Sequence, residues 1–280
     1  MHDGMKCQRT KIRLAVYIVL TLGLLLVALF GESIAPYDPY KTNVMAIDQP
    51  PSYDYWFGTD NLGRCLFSRV LTGARSSLSA TLLIVAITGV LGTLIGVAAG
   101  YYGGIVDNIL KRLLLIFQSF PGQVLAIAIV GVLGAGFGNA VIALGVIGWI
   151  SYARIARSMV LKIRNAGYVN AARLCGCGSA YIMIHHVIPN ISSLLFVTAM
   201  NALAGTMLEI SALSFLGLSA TPPIPEWGFM ISEGRKVLMT APWQTLFPGI
   251  AILITVIILN RLGDSVQDYM AVRQQELSVM

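Results

Sequence analysis

Charged residues fall into short bands along this chain, and long apolar runs lie between them. Ile12 to Phe30 is apolar after a basic start at Lys6, Arg9, Lys11 and Arg13. Leu78 to Gly100 carries no charge, and Leu113 to Ala153 holds no Asp, Glu, Lys or Arg. A helix needs about 20 apolar residues to cross a bilayer, so the last run is long enough for two. The segment Gly134-Ala135-Gly136-Phe137-Gly138-Asn139 divides it with a tight turn. Ser192 to Leu218 is interrupted only by Glu209, and Val237 to Asn260 is uncharged. The pattern predicts an all-α integral membrane protein with six transmembrane helices.

Composition supports this reading. Of 280 residues, 56% are hydrophobic and 11% charged, against about 25% charged in a soluble domain. Mean hydropathy is +0.75. A cleavable signal peptide is the rival reading of the first run, but no small-x-small site follows it, which favours an uncleaved helix. The net charge of +6 is explained by where it lies. With the N-terminus in the cytoplasm, the inner side holds Lys6, Arg9, Lys11, Arg13, Lys111, Arg112, Arg154, Arg157, Lys162, Arg164, Arg173, Arg261 and Arg273. The outer side holds Lys41, Arg64, Arg69, Arg75, Arg235 and Lys236. That bias predicts both termini inside, and the basic balance is an orientation signal rather than a nucleic-acid footprint. The expected layout is a cytoplasmic tail over 1–11, a first helix over 12–30 and an extracytoplasmic segment over 31–77. A five-helix core follows over 78–263, with a cytoplasmic loop over 154–190, and then a cytoplasmic tail over 264–280.

That loop contains YVNAARLCGCGSAYIMIHHVIPN, residues 168–190. Tyr168, Ala171, Ala172 and Cys175 fall at i, i+3, i+4 and i+7, one face of a short helix. Gly176 and Gly178 break it, and a second short helix is predicted from Ser179 to about His186, stopped before Pro189. A small-residue face beside glycines lets another protein's surface come close to the backbone. The alternative is a connector packed on its own bundle.

At this point the chain resembles a family. Asn170-Ala171-Ala172, three residues, Gly176 and then Val187-Ile188-Pro189 are similar to the "EAA…G…ILP" loop of ABC-importer permeases, with Asn170 for the usual Glu and Ile188 for Leu. Gly58-Thr59-Asp60-Asn61-Leu62-Gly63-Arg64-Cys65-Leu66-Phe67-Ser68-Arg69 resembles the GTDxxGRDxxSR segment of the dipeptide, oligopeptide and nickel group, with Cys65 for Asp. Ala99 to Gly104 (AGYYGG), Leu213 to Leu218 (LSFLGL) and Pro222 to Gly228 (PPIPEWG) are further hallmarks of the group. The N-terminal layout is that of the second permease of each pair.

The resemblance implies a type I ABC-importer permease fold whose cytoplasmic coupling-helix loop docks on an ATPase subunit through Tyr168, Asn170, Ala171, Ala172, Gly176 and Pro189. It implies a second permease, two ATP-binding subunits and an extracytoplasmic substrate-binding protein as partners, in the inner membrane of a bacterium. This chain is then a non-catalytic subunit that binds no cofactor, ATP and Mg²⁺ being held by the partner ATPases. The run Gly131 to Gly136 with Asn139 to Ala143, and the missing Glu at 170, are closer to nickel permeases. Short peptides are the alternative substrate, and a stand-alone channel or secondary carrier is the rival class.

Individual residues refine the picture. Gly92, Gly96 and Gly100 repeat every four residues, a spacing that lets helices approach within one subunit or between two permeases. Glu209 is the one acidic residue inside a span, where a carboxylate is costly. It is a candidate for the translocation path with Asn201 and Ser211, or it makes a structural hydrogen bond to Ser211, Asn201 or a neighbouring backbone group. Cys175, Cys177, His185 and His186 invite a metal, but zinc sites favour wider Cys spacing, and none is expected. Cys65 alone faces outward, so no external disulfide forms within the chain. The outer segment Ile34 to Trp56, with Glu32, Asp38, Asp48, Asp54 and Asp60 nearby, is either a receiver for a binding protein or a lid. No G-x-x-x-x-G-K-[ST] is present, and no protease motif.

Overall fold

The computed structural model describes residues 2–219 and 222–279, and side chains over 8–219 and 222–272. Lys6, Cys7 and Arg273 therefore lie outside the described side chains. The elements are helical, and the described residues add only an isolated bridge between Thr59 and Cys65. The helices are α1 (His2–Ile34), α2 (Leu66–Tyr102), α3 (Gly104–Gln118), α4 (Gly122–Leu133), α5 (Phe137–Ile163), α6 (Gly167–Leu174), α7 (Ser179–Ile182), α8 (Ile188–Phe215), α9 (Trp227–Gly234) and α10 (Trp243–Val279). Among the described residues five helices are long and apolar enough to cross a membrane, and α3 with α4 makes a sixth if the bent pair is one span.

Several boundaries differ from the hydropathy reading, each for a local reason. The third apolar run breaks twice: at Gly134–Gly136 as expected, and also between Gln118 and Gly122, where α3 and α4 meet at 89°. Pro121 has no N–H to continue the ladder and pushes Phe120 away from the helical region, while Ser119 caps α3 through its backbone N–H and its hydroxyl, both directed to Leu115 O. α4 has 12 residues, about 18 Å of helix, well short of a 30 Å hydrocarbon core. The second helix begins at Leu66 rather than near Leu78. The loop expected from Arg154 is helical to Ile163. The helix expected to stop before Pro189 does not stop: α7 passes through a π turn over Met183–Val187 straight into α8. The widened turn accommodates a proline ring that would clash with the carbonyl four residues back in a tight α-helix. α10 stays helical through the predicted tail.

The chain divides into two compact units, Met1–Leu83 with Ile127–Ile142 and Met200–Met280, and Ile84–Ala126 with Ala143–Ala199. In the second unit the glycine stripe is used for packing within the chain. A Cβ added to Gly92 would sit 2.3 Å from Trp149 O, one on Gly96 2.3 Å from Ala153 O, and one on Gly100 2.8 Å from Val160 Cβ. α2 and α5 thus pack backbone to backbone, which answers the question left by the four-residue period. Val97, Tyr101, Ala156, Val160, Val169, Ala172, Ile182, Val187 and Ile191 close one core that seats α6 and α7 on α2, α5 and α8.

In the first unit α1 runs alongside α10, with Arg13 3.5 Å from Asp268 in an exposed ion pair. The segment between α1 and α2 is irregular but fixed. Its Gly63 has φ +71 and a Cβ there would overlap Asn43 O, so this close approach needs glycine.

Candidate functional site

Two polar constellations stand out, one in each unit. In the second, the connector between α5 and α8 carries α6. Cys177 N–H donates to Ala172 O at 3.1 Å and Gly176 N–H to Arg173 O at 3.0 Å, the Schellman pattern that ends a helix on a left-handed residue. Gly176 has φ +81 and open space around it, so its role is conformational. Of the predicted face only Ala172 is buried; Tyr168, Ala171 and Cys175 are exposed with Leu174, which is 89% accessible. Tyr181 and Ile184 are also exposed on the following turn.

Three contacts tie this connector to its helices. Asn190 Nδ2 donates to the Tyr168 hydroxyl at 2.8 Å, linking α6 to the start of α8. Arg173 Nε donates to the Tyr101 hydroxyl at 3.4 Å, with its guanidinium carbon 5.1 Å from the Tyr101 ring centroid, linking α6 to the end of α2. Arg164 Nη1 reaches Gly100 O at 3.3 Å. Asn170, at the family's Glu position, accepts from Arg173 Nη1 at 3.2 Å and donates to Asn165 O at 3.1 Å. Asn170 therefore holds Arg173 within α6 as a neutral acceptor. In the same unit, buried Asp107 of α3 receives both Nε and Nη2 of Arg157 and lies 2.8 Å from Lys111 Nζ. The AGYYGG hallmark thus packs and bonds to the connector.

In the first unit the polar groups converge on α9. Glu226 is its N-cap: the carboxylate accepts from Gly228 N–H at 3.1 Å, Phe229 N–H at 2.8 Å and the Ser77 hydroxyl of α2 at 3.1 Å. Burial pushes the Glu226 pKa up, opposed by the bonds from Phe229, Gly228 and Ser77. Trp227 Nε1 donates to Val70 O at 2.8 Å, and the ring fills the space over Gly73. Gly228 lies so close to α8 that a Cβ would meet Ser211 O at 2.4 Å. At the far end of α9, Glu233 Oε2 lies 3.7 Å from Arg64 and 3.9 Å from Arg69. Both arginines pair with Asp60 Oδ2, at 2.7 and 3.3 Å, while Asp60 Oδ1 accepts from Leu62 and Arg64 N–H. Asp60, Arg64 and Arg69 are buried, Glu233 only partly, and burial pushes the Glu233 pKa up against the pull of both arginines. The GTDxxGR segment holds the far end of α9 and the PPIPEWG segment its start, so together they clamp one helix.

The candidate path residues are not brought together. Glu209 is exposed on α8 and has no hydrogen-bond or ionic partner among the described residues, so the alternative, a structural bond to Ser211, Asn201 or nearby backbone, is not formed. Asn201 turns to Gln267 at 3.5 Å and packs on Gly263, and the Ser211 hydroxyl is buried without a partner. Pro189 lies exposed in the first turn of α8. His185 stacks on Tyr181 with centroids 4.2 Å apart, and Cys175 and Cys177 are free thiols.

Residues 92–275 match the model of the binding-protein-dependent transport system inner membrane component. The chain belongs to this family. It is 37% identical over 261 residues to a dipeptide transport system permease protein DppC of Alkalihalophilus pseudofirmus, covering 93% of this chain and 86% of that one. It is 37% identical over 262 residues to a nickel transport system permease protein NikC of Escherichia coli K12, covering 94% of each. A glutathione transport system permease protein GsiD of Escherichia coli O6:K15:H31 is 38% identical over 255 residues, 91% of this chain and 83% of that one. Among solved structures the inward-facing MetNI methionine ABC transporter superposes with a TM-score of 0.56 at 19% identity, covering 72% of this chain and 95% of that chain. The fold is that of a type I ABC-importer permease, and the chain is a non-catalytic membrane subunit of such an importer.

For this permease, sequence reasoning missed Arg173, Tyr101, Asp107 and Arg157, and it did not connect Glu226 to Ser77 or Asp60 to Glu233. The signal available was the charge itself: Asp107 is an acidic residue beside an apolar run with basic neighbours at 111 and 157. The exposed Leu174 and Ile184 were hidden because isolated apolar residues in a polar loop carry no period.

Proposed function

We propose that this permease forms, with a second permease, the path by which an ABC importer takes up nickel or short peptides, with both termini in the cytoplasm. The single observation that carries the reading is the match along nearly the whole chain to permeases of both nickel and dipeptide systems. In this reading the connector docks on one of two ATPase subunits through Tyr168, Asn170, Ala171, Ala172, Gly176 and Pro189, with Leu174 and Ile184 adding apolar area. ATP and Mg²⁺ act in those partners, and this chain holds no cofactor. An extracytoplasmic binding protein delivers substrate. ATP binding closes the ATPases, the Arg173–Tyr101 and Arg164–Gly100 contacts pass that motion from the connector to α2, and the helices switch access.

Glu209, Asn201 and Ser211 remain candidates for the path, Glu209 first, because an unpartnered carboxylate in a span belongs against water or a polar substrate. The deciding experiment is uptake of labelled nickel in cells with and without this chain, binding protein and ATPases present. Uptake that needs the chain and survives excess dipeptide assigns nickel. Nickel uptake unchanged by loss of the chain, with dipeptide uptake lost, assigns peptides.

A further inference from the structure

The segment between α1 and α2 holds a surface cleft of about 310 Å³ lined by Pro36, Tyr37, Tyr53, Asp54, Trp56, Cys65 and Phe67. Four of its walls are aromatic, yet Tyr53 is 95% and Trp56 62% exposed. Large rings are rarely left in water without a use, because each offers 150–250 Å² to bury. The cleft is not loose: Trp56 packs on Phe67 with centroids 5.1 Å apart, Tyr37 on Tyr55 at 5.3 Å, and Tyr37 N–H donates to Ser68 at 3.1 Å.

Charge then selects the occupant. Residues 31–63 carry Glu32, Asp38, Asp48, Asp54 and Asp60 against a single Lys41, in a chain whose net charge is +6. Most of these acids are already engaged: Asp60 by Arg64 and Arg69, Asp48 by Gln244, Asp38 by the Tyr40 N–H, and Glu32 by Arg75. Asp54 alone has no partner among the described residues, and it stands at the cleft. Aromatic faces beside a free carboxylate are the chemistry that holds an ammonium or guanidinium group. Phospholipid headgroups carry a phosphate that this acidic segment would repel. The position equivalent to Cys65 is usually Asp in the resembled group, so here Asp54 supplies the cleft's only charge.

We propose that the cleft is an anchor for a lysine or arginine side chain of the extracytoplasmic binding protein, with Asp54 as counter-ion and Tyr37, Tyr53 and Trp56 as its aromatic walls. The inference rests on the orientation and partner given above, and the family's description as binding-protein-dependent supplies the class of occupant. The contact steers the partner in and sets register, and it weakens with added salt because one side of it is exposed.

The test uses the assembled importer in lipid nanodiscs with its own binding protein. A photo-cross-linking amino acid in place of Tyr53 should join the binding protein at a peptide that contains a surface Lys or Arg. Asp54→Lys should weaken binding-protein affinity at least tenfold at low salt, Asp54→Glu should leave it near normal, and a Lys or Arg→Glu change at the cross-linked site should restore the Asp54→Lys complex. Because Asp54 holds no partner, neither variant is expected to disturb folding. Unchanged affinity in Asp54→Lys overturns the proposal, as does cross-linking of Tyr53 to lipid, to the second permease or to nothing. The same cross-linker in place of Leu174 separates the two readings: capture of an ATPase there, with no capture at Tyr53, leaves the importer reading intact and sinks only the anchor.

Discussion

The α9 clamp and the α6 connector both gather polar residues, but they do so in opposite ways. At the clamp, Asp60, Arg64, Arg69 and Glu226 are buried with their charges engaged, and Ser77 is buried with them. At the connector, Asn170, Arg173 and Tyr168 sit at the surface, and the face beyond them is small or apolar. A buried charged network is costly to break because any survivor is stranded without water. An exposed one, charged only at Arg173, tolerates loss of a bond but depends on backbone shape. The clamp is therefore built to hold one geometry, and the connector to present a surface.

Breaking the clamp should give the largest effect. Asp60→Ala strands two buried guanidinium groups and removes the acceptor that shapes the turn before α2, a change of the kind that costs about 3–5 kcal/mol. The expected result is loss of assembled complex, measured as detergent-extracted complex and its thermal midpoint. Normal assembly would show that Glu233 alone satisfies both arginines.

The connector should fail differently. Gly176 sits at φ +81 in open space, so the cost of a side chain is about 1–2 kcal/mol of left-handed backbone strain, far less for Asn. Gly176→Val should cut transport more than tenfold with insertion unchanged, while Gly176→Asn retains most of it. Equal failure of both would mean that the partner needs the space itself, rather than the turn. A smaller effect is expected one bond away. Arg173→Ala or Tyr101→Phe should leave assembly intact but lower transport per ATP hydrolysed several-fold, and Arg173→Lys should rescue part of it through the ring contact. A purely structural role would instead move assembly and leave that ratio alone.

Much of this was legible in the sequence. The four-residue glycine period placed α2 against another helix because close backbone approach leaves small residues in register. Gly134 to Gly136 marked a true turn. What hydropathy did not show was the bend at Pro121, since a proline inside an apolar run leaves mean hydropathy unchanged while it removes a backbone donor. It also started the second helix too late, because Ser68, Arg69, Arg75 and Ser77 keep the first turns of α2 out of the apolar run. Arg69 and Ser77 are buried, satisfied by Asp60, Pro39 and Glu226, partners 9 to 149 residues distant in sequence that no local pattern reveals. The connector's helix was visible from its spacing, whereas its tie to AGYYGG joins Tyr101 and Arg173 across 72 residues.

The smallest effect separates the two ends of the clamp itself. Glu233 is only partly buried, and its contacts to Arg64 and Arg69 are longer than hydrogen bonds. Its pKa is nevertheless raised from 4.5, with burial as the largest cause. A carboxyl whose folded pKa lies above its unfolded value binds its proton more tightly in the folded state, so folding is favoured most below 4.5 and that stability is lost as pH rises through the folded pKa. Part of any decline in the thermal midpoint above pH 4.5 should therefore belong to Glu233. Glu233→Gln should flatten that slope without changing the midpoint at the acid end. A variant that loses stability equally at every pH would show instead that the arginines need this charge, and that the far end of α9 is held as tightly as the near one.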